Sequence, residues 1–84
     1  MKYTAIEVSE NGRDRLGTEG VITGEYQSQR NFIKWNIKHL KREQLYAVYS
    51  GGSGGKYKFE GFYSRLPGHE HRRQIERALK AGRR

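Results

Sequence analysis

Arg72, Arg73, Arg77 and Lys80, followed by Arg83 and Arg84, are the side chains of this chain best suited to do chemistry, and that chemistry is the neutralisation of phosphate. Helical spacing would bring several of these guanidinium groups onto one exposed face, within reach of successive phosphates. The surrounding charge is segregated: residues 51 to 84 hold nine Lys or Arg against three Glu, whereas residues 1 to 50 hold eight against six. A clustered field of one sign attracts a phosphate chain and steers its approach. Lys34 and Lys38, beside Lys56 and Lys58, extend the expected surface. The expected partner is DNA or RNA, bound through its phosphate backbone.

Tyr57, Phe59 and Tyr63 interleave with Lys56 and Lys58, and such rings could form a stacking platform for unpaired bases. The competing expectation is that they fill the core, since aliphatic residues are scarce. Ser50 to Lys56 superficially resembles a phosphate-binding loop, but Ser50 stands at the first glycine position and Tyr57 at the Ser/Thr position. His69 and His71 flank Glu70, yet helical residues two apart point to different sides, so a solvated first turn is expected and no metal site. No acid pair and no nucleophile beside a base stands out. The expected protein is not an enzyme and needs no cofactor.

Eighty-four residues allow one domain, spanning residues 1–84, and so short a chain buries only roughly 60 to 65% of its unfolded surface. Leu, Ile, Val and Phe total 16 residues, few enough to border on disorder at a net charge of +8, and six Tyr and one Trp tip the balance toward folding. The absence of cysteine fits a reducing cytoplasm or nucleoid, or a host cytoplasm if the protein is viral. No apolar run approaches the about 18 residues of a membrane span, and nothing resembles a signal peptide.

The spacing predicts the following elements. Lys2 to Val8 reads as a strand with Thr4, Ile6 and Val8 on one face, ended by an Asn11-Gly12 turn, with a tight approach at Gly17 to Gly20. Gly20 to Tyr26 reads as a second strand, bent or bulged at Gly24. Gln27 to Arg30 makes a loop. Phe32 to Lys38 reads as the clearest strand, with Ile33, Trp35 and Ile37 facing inward as the centre of the core and Lys34, Asn36 and Lys38 facing out. A helical turn at His39 to Glu43 leads into a strand over Leu45 to Tyr49. Residues 50–55 form a flexible Gly/Ser connector by composition, native or engineered. Lys56 to Tyr63 is the last strand, with Tyr57, Phe59, Gly61 and Tyr63 on one face. A basic helix over 69–81 is anchored by Ile75 and Leu79, with Gly82 as its stop.

Residues Asn11 to Glu25, with the run Gly20-Val21-Ile22-Thr23-Gly24, followed by Ile33-Lys34-Trp35-Asn36, resemble the KOW-type and related small SH3-like barrels of ribosomal proteins, transcription factors and short phage proteins. That family pairs a Gly-x-Val/Ile-x-Gly strand with a hydrophobic-basic-Trp strand, and residues 11 to 50 match it. The resemblance implies a mainly β fold, an SH3-like barrel of about five strands, here extended by the basic helix. It implies nucleic-acid binding, peptide binding or scaffolding. An alternative partner is therefore an acidic protein surface, as for a small phage-like module that docks on a host nucleic-acid-handling enzyme and inhibits or redirects it.

Overall fold

A computed structural model describes residues 1–9, 12–14, 21–51 and 55–81. It contains β1 (Lys2–Glu7), β2 (Val21–Glu25), α1 (Gln29–Asn36), a 3-10 turn (Ile37–His39), β3 (Tyr46–Gly51), β4 (Tyr57–Tyr63) and α2 (Gly68–Lys80). The four strands form one antiparallel sheet in the order β2-β1-β3-β4. The fold is mainly β with a C-terminal helix. Among the described residues the sheet is open and has four strands rather than the five of the expected barrel.

The two central strands are buried on both sides. Tyr46, Ala47 and Val48 are consecutive and all at most 1% exposed, which a strand allows only if both faces of its sheet are covered. One face packs Tyr3, Ala5, Tyr46 and Val48 against Phe32 of α1, with Leu40 completing the cluster. The other packs Val8, Leu45 and Ala47 against Ala78 of α2. The two helices therefore lie on opposite faces of the sheet.

The expected strand over 32–38 is instead α1 and the turn after it. Ser28 caps the helix, its Oγ accepting from the Asn31 N–H at 3.2 Å. Gln29, Phe32, Ile33 and Asn36 then fall on one side, the spacing of a helix face. Phe32 is fully buried, stacked on Tyr3 with ring centroids 5.7 Å apart and tilted against Tyr26 at 5.6 Å. Asn36 donates through Nδ2 to the Tyr26 hydroxyl at 3.0 Å and to the Phe32 carbonyl at 2.8 Å, tying the helix C-terminus back to the end of β2. Trp35 and Ile37, expected at the core centre, are 68% and 38% exposed. The hydrophobic-basic-Trp stretch of the KOW-like pattern is thus helical.

Three smaller expectations also change. Gly24 keeps regular register with Tyr3 and forms no bulge; a Cβ there would stand 2.7 Å from the Tyr26 ring, which lies across it. The bulge is in β4, where Val48 pairs with Gly61 but Tyr49 with Phe59, leaving Glu60 as the extra residue. Tyr57, Phe59 and Phe62 consequently share the α2 side, while Tyr63 packs on the α1 side. Finally, Ser50 and Gly51 of the expected connector are the end of β3, and Gly51 at φ 93° must be glycine, since a Cβ would meet the Lys56 carbonyl oxygen at 2.8 Å. Gly52 to Gly54, the Asn11 turn position, Gly17 to Gly20, and Gly82 to Arg84 lie outside the described residues.

Phe32→Ala should lower unfolding free energy by about 3–5 kcal/mol, whereas Trp35→Ala should change it by no more than about 0.5 kcal/mol. Urea unfolding of both variants checks this. A Trp35→Ala loss as large as that of Phe32→Ala would contradict the helical assignment.

Candidate nucleic-acid interface

From Tyr26 to Arg42 the chain has five cationic side chains, Arg30, Lys34, Lys38, Lys41 and Arg42, and no Asp or Glu. α1 and the turn after it display this stretch. With Phe32 inward, Arg30, Lys34 and Lys38 fall on the outer side at four-residue intervals, and all three are exposed. Side chains four apart on a helix stand with Cβ atoms about 5–6 Å from each other. Trp35 emerges on the flank of this row, beside Lys34 in sequence and one turn before Lys38. The result is a cationic strip with an exposed indole and no carboxylate of its own.

Lys41 is the member of the group that is already engaged. Its Nζ lies 3.1 Å from Oε2 of Glu7, whose side chain is 2% exposed in β1. The backbone N–H of Lys41 donates to the Tyr46 hydroxyl at 2.8 Å. Burial raises the Tyr46 phenol above its usual 10.0; the Lys41 N–H opposes that shift and the charge of Glu7 adds to it.

On the opposite face, α2 begins after Pro67, with Glu70 in its first turn. His71 turns inward, its Nδ1 2.7 Å from the Ser64 Oγ, while His69 is exposed. Gln74 donates through Nε2 to the Glu43 carbonyl at 2.7 Å. Ala78 is the buried contact, clustered with the equally small Ala47, and Ile75 is half-buried. Leu79, expected as an anchor, is 46% exposed, because the close approach is made one position earlier in the turn. Arg72, Arg73, Arg77 and Lys80 are all exposed, but Glu76 stands among them. Arg77 also lines a cleft of about 450 Å³ shared with Glu43, and Arg73 lines a neighbouring one with Glu43 and Glu70. Acidic side chains therefore stand among the cations of α2 and beside Lys41 on the α1 side.

Lys58 lies on β4, the edge strand farthest from β2, and Lys56 immediately precedes that strand. Among the described residues, the expected cations thus occupy three places: the α1 side, the α2 side and the β4 edge. They do not form one patch. The expected aromatic trio divides as well. Tyr57 and Phe59 are 55% and 45% exposed on the α2 side of the sheet, Phe59 lying edge-on to Tyr49 and Phe62, whereas Tyr63 belongs to the α1-side core. Arg30 and Trp35, both exposed beside Lys34, are placed with this group by the helix, which the sequence pattern does not reveal. The available signal was the acid-free run from Tyr26 to Arg42. Arg83 and Arg84 lie outside the described residues.

No family model, characterised relative or solved structure matches this chain. Its own geometry defines it as a small domain in which a sheet separates two basic helices.

Because burial holds the Tyr46 proton to higher pH in the folded state than in the unfolded chain, its contribution to stability is intact below about pH 10 and is lost as pH rises from 10.0 through the native value. Urea stability should fall with this slope in alkali. Tyr46→Phe should flatten the slope while costing about 1 kcal/mol at neutral pH, since the Lys41 N–H loses its acceptor. An unaltered alkaline slope in the variant would count against this assignment.

Proposed function

We propose that this chain is a non-enzymatic nucleic-acid-binding protein that holds a phosphate backbone chiefly against α1, with the cations of α2 as a second, weaker contact. The observation that supports this reading best is the strip of Arg30, Lys34 and Lys38, exposed on α1 and the turn after it, in a sequence stretch from Tyr26 to Arg42 that has no acidic residue of its own. A field of one sign over such a length is what counterion release from a polyphosphate requires. On α2, Glu70 and Glu76 against four cations leave a net of only +2 across residues 68 to 81. Lys56 and Lys58 extend contact along the β4 edge. The KOW-like resemblance of residues 11 to 50 implies nucleic-acid binding, peptide binding or scaffolding alike, so it is compatible with this ligand class without selecting it.

The test compares two triple variants in mobility-shift titrations at several salt concentrations. Changing Arg30, Lys34 and Lys38 together to Ala should weaken binding strongly and flatten the dependence of log K on log salt by about 0.7 to 0.9 for each phosphate that is no longer neutralised. Changing Arg72, Arg73 and Arg77 to Ala should have the smaller effect. Affinity independent of salt, or an α1 triple variant that binds as the parent does, would refute the proposal.

A further inference from the structure

Trp35 is the only tryptophan in the chain and, at 68% exposure, one of the two most exposed large hydrophobic residues among those described, the other being Met1. An indole left in water on a folded helix is an unusual expense of apolar surface, and such surface signals a partner when it forms part of a coherent patch. Here the patch is defined by what surrounds the ring. Lys34 precedes Trp35, Lys38 and His39 follow at three and four residues, and Arg30 extends the same row one turn earlier. An apolar protein surface or a lipid tail would leave those cations without counterparts. A chain of phosphates carrying flat rings satisfies both the charges and the indole.

The ring is also held ready. α1 cannot rotate about its axis without withdrawing Phe32 from its place against Tyr3 and Tyr26, and Asn36, next to Trp35, is bonded at once to the Tyr26 hydroxyl and the Phe32 carbonyl. The backbone that presents the indole is therefore fixed from the inner side, and little ordering cost remains for a ligand to meet.

We infer that Trp35 is a base-stacking residue and that the ligand of the α1 strip is an unpaired nucleic-acid strand, one base lying on the indole while Arg30, Lys34 and Lys38 hold the flanking phosphates. This rests on the proposed nucleic-acid function and narrows it to single strands. Within a duplex the base faces are stacked on one another and do not meet a side chain lying along a helix surface, so the duplex would engage the cations alone.

A single tryptophan makes the site its own reporter. The full chain is titrated with oligo(dT), oligo(U), a duplex of equal length and inorganic polyphosphate, following tryptophan fluorescence and, in parallel, direct binding by mobility shift or competition. Both single strands should bind with saturable quenching of Trp35, and the tighter of the two distinguishes DNA from RNA as the source. Polyphosphate should compete for the strip and leave the fluorescence nearly unchanged. Trp35→Ala should weaken oligo(dT) or oligo(U) binding about 5- to 150-fold with polyphosphate binding unaffected, and Trp35→Phe should recover part of the affinity. Salt-dependent binding of single strands without quenching, equal quenching by polyphosphate, or binding of duplex alone would overturn the stacking role while leaving the nucleic-acid reading in place. Absence of salt-dependent binding to every nucleic acid tested would overturn both, as would quenching only by a protein partner that survives nuclease treatment.

Discussion

The burial of β3 on both of its faces is the constraint from which the rest of this small structure follows. Tyr46, Ala47 and Val48 point alternately to the two sides of the sheet and all are essentially inaccessible. A four-stranded antiparallel sheet can leave one face wet. This one does not, so each of the two helices must cover a face, and each must turn its polar side away from the other. The separation of the two basic surfaces is thus a consequence of how the core is closed. Phe32 on one side and Ala78 on the other set how each helix is rotated, and that rotation decides which cations reach solvent together.

The two closures differ in kind. α1 is seated by a large ring between two tyrosines, with Asn36 fastening its end. α2 is seated by a small residue at a close approach, with Gln74 and His71 bonding to the loops on either side of it. Aromatic packing leaves the far side of α1 uncommitted. The second arrangement draws Arg73 and Arg77 toward the acidic residues around Glu43, since the flank that carries Gln74 also carries them. A raw count of charge favours the C-terminal third, whereas Arg30, Lys34 and Lys38 lie in a stretch that has no acidic residue of its own.

Much of the fold is legible in the residues. Alternation marks β1 and β2, the continuous apolar run Leu45 to Tyr49 marks β3 as a buried strand, and the Pro67-Gly68 start and apolar spacing mark α2 to within a residue of its bounds. α1 reads as a strand because Ile33, Trp35 and Ile37 satisfy period two with strand-forming types, while the rival stripe of Gln29, Phe32, Ile33 and Asn36 has two polar members. Tertiary contact settles the competition: Asn36 belongs on the inner side only because the Tyr26 hydroxyl is there to accept from it. The face of Tyr63 is hidden because one extra residue at Glu60 inverts everything after it, and alternation carries no trace of such an insertion beyond the glycine that follows. For the site, Lys34 and Lys38 stand out for a sound reason, outward exposure, on the wrong element. Arg30 and Trp35 become visible only once that element is a helix.

An eight-residue helix has little stability of its own, since helices shorter than about 12–15 residues are marginal in water. α1 is helical because Phe32 is docked, and Arg30 and Lys34, four apart on its outer side, add mutual repulsion that opposes the helix. The strip is therefore a surface whose existence depends on the core beneath it, and whose cost falls when a polyanion neutralises it. Anything that binds the folded chain and not the unfolded one stabilises it by mass action. In a domain with so few aliphatic residues, ligand and core would then share the work of keeping α1 in place. If the proposed nucleic-acid reading holds, the same charges that weaken the empty helix make it responsive to the phosphate chain.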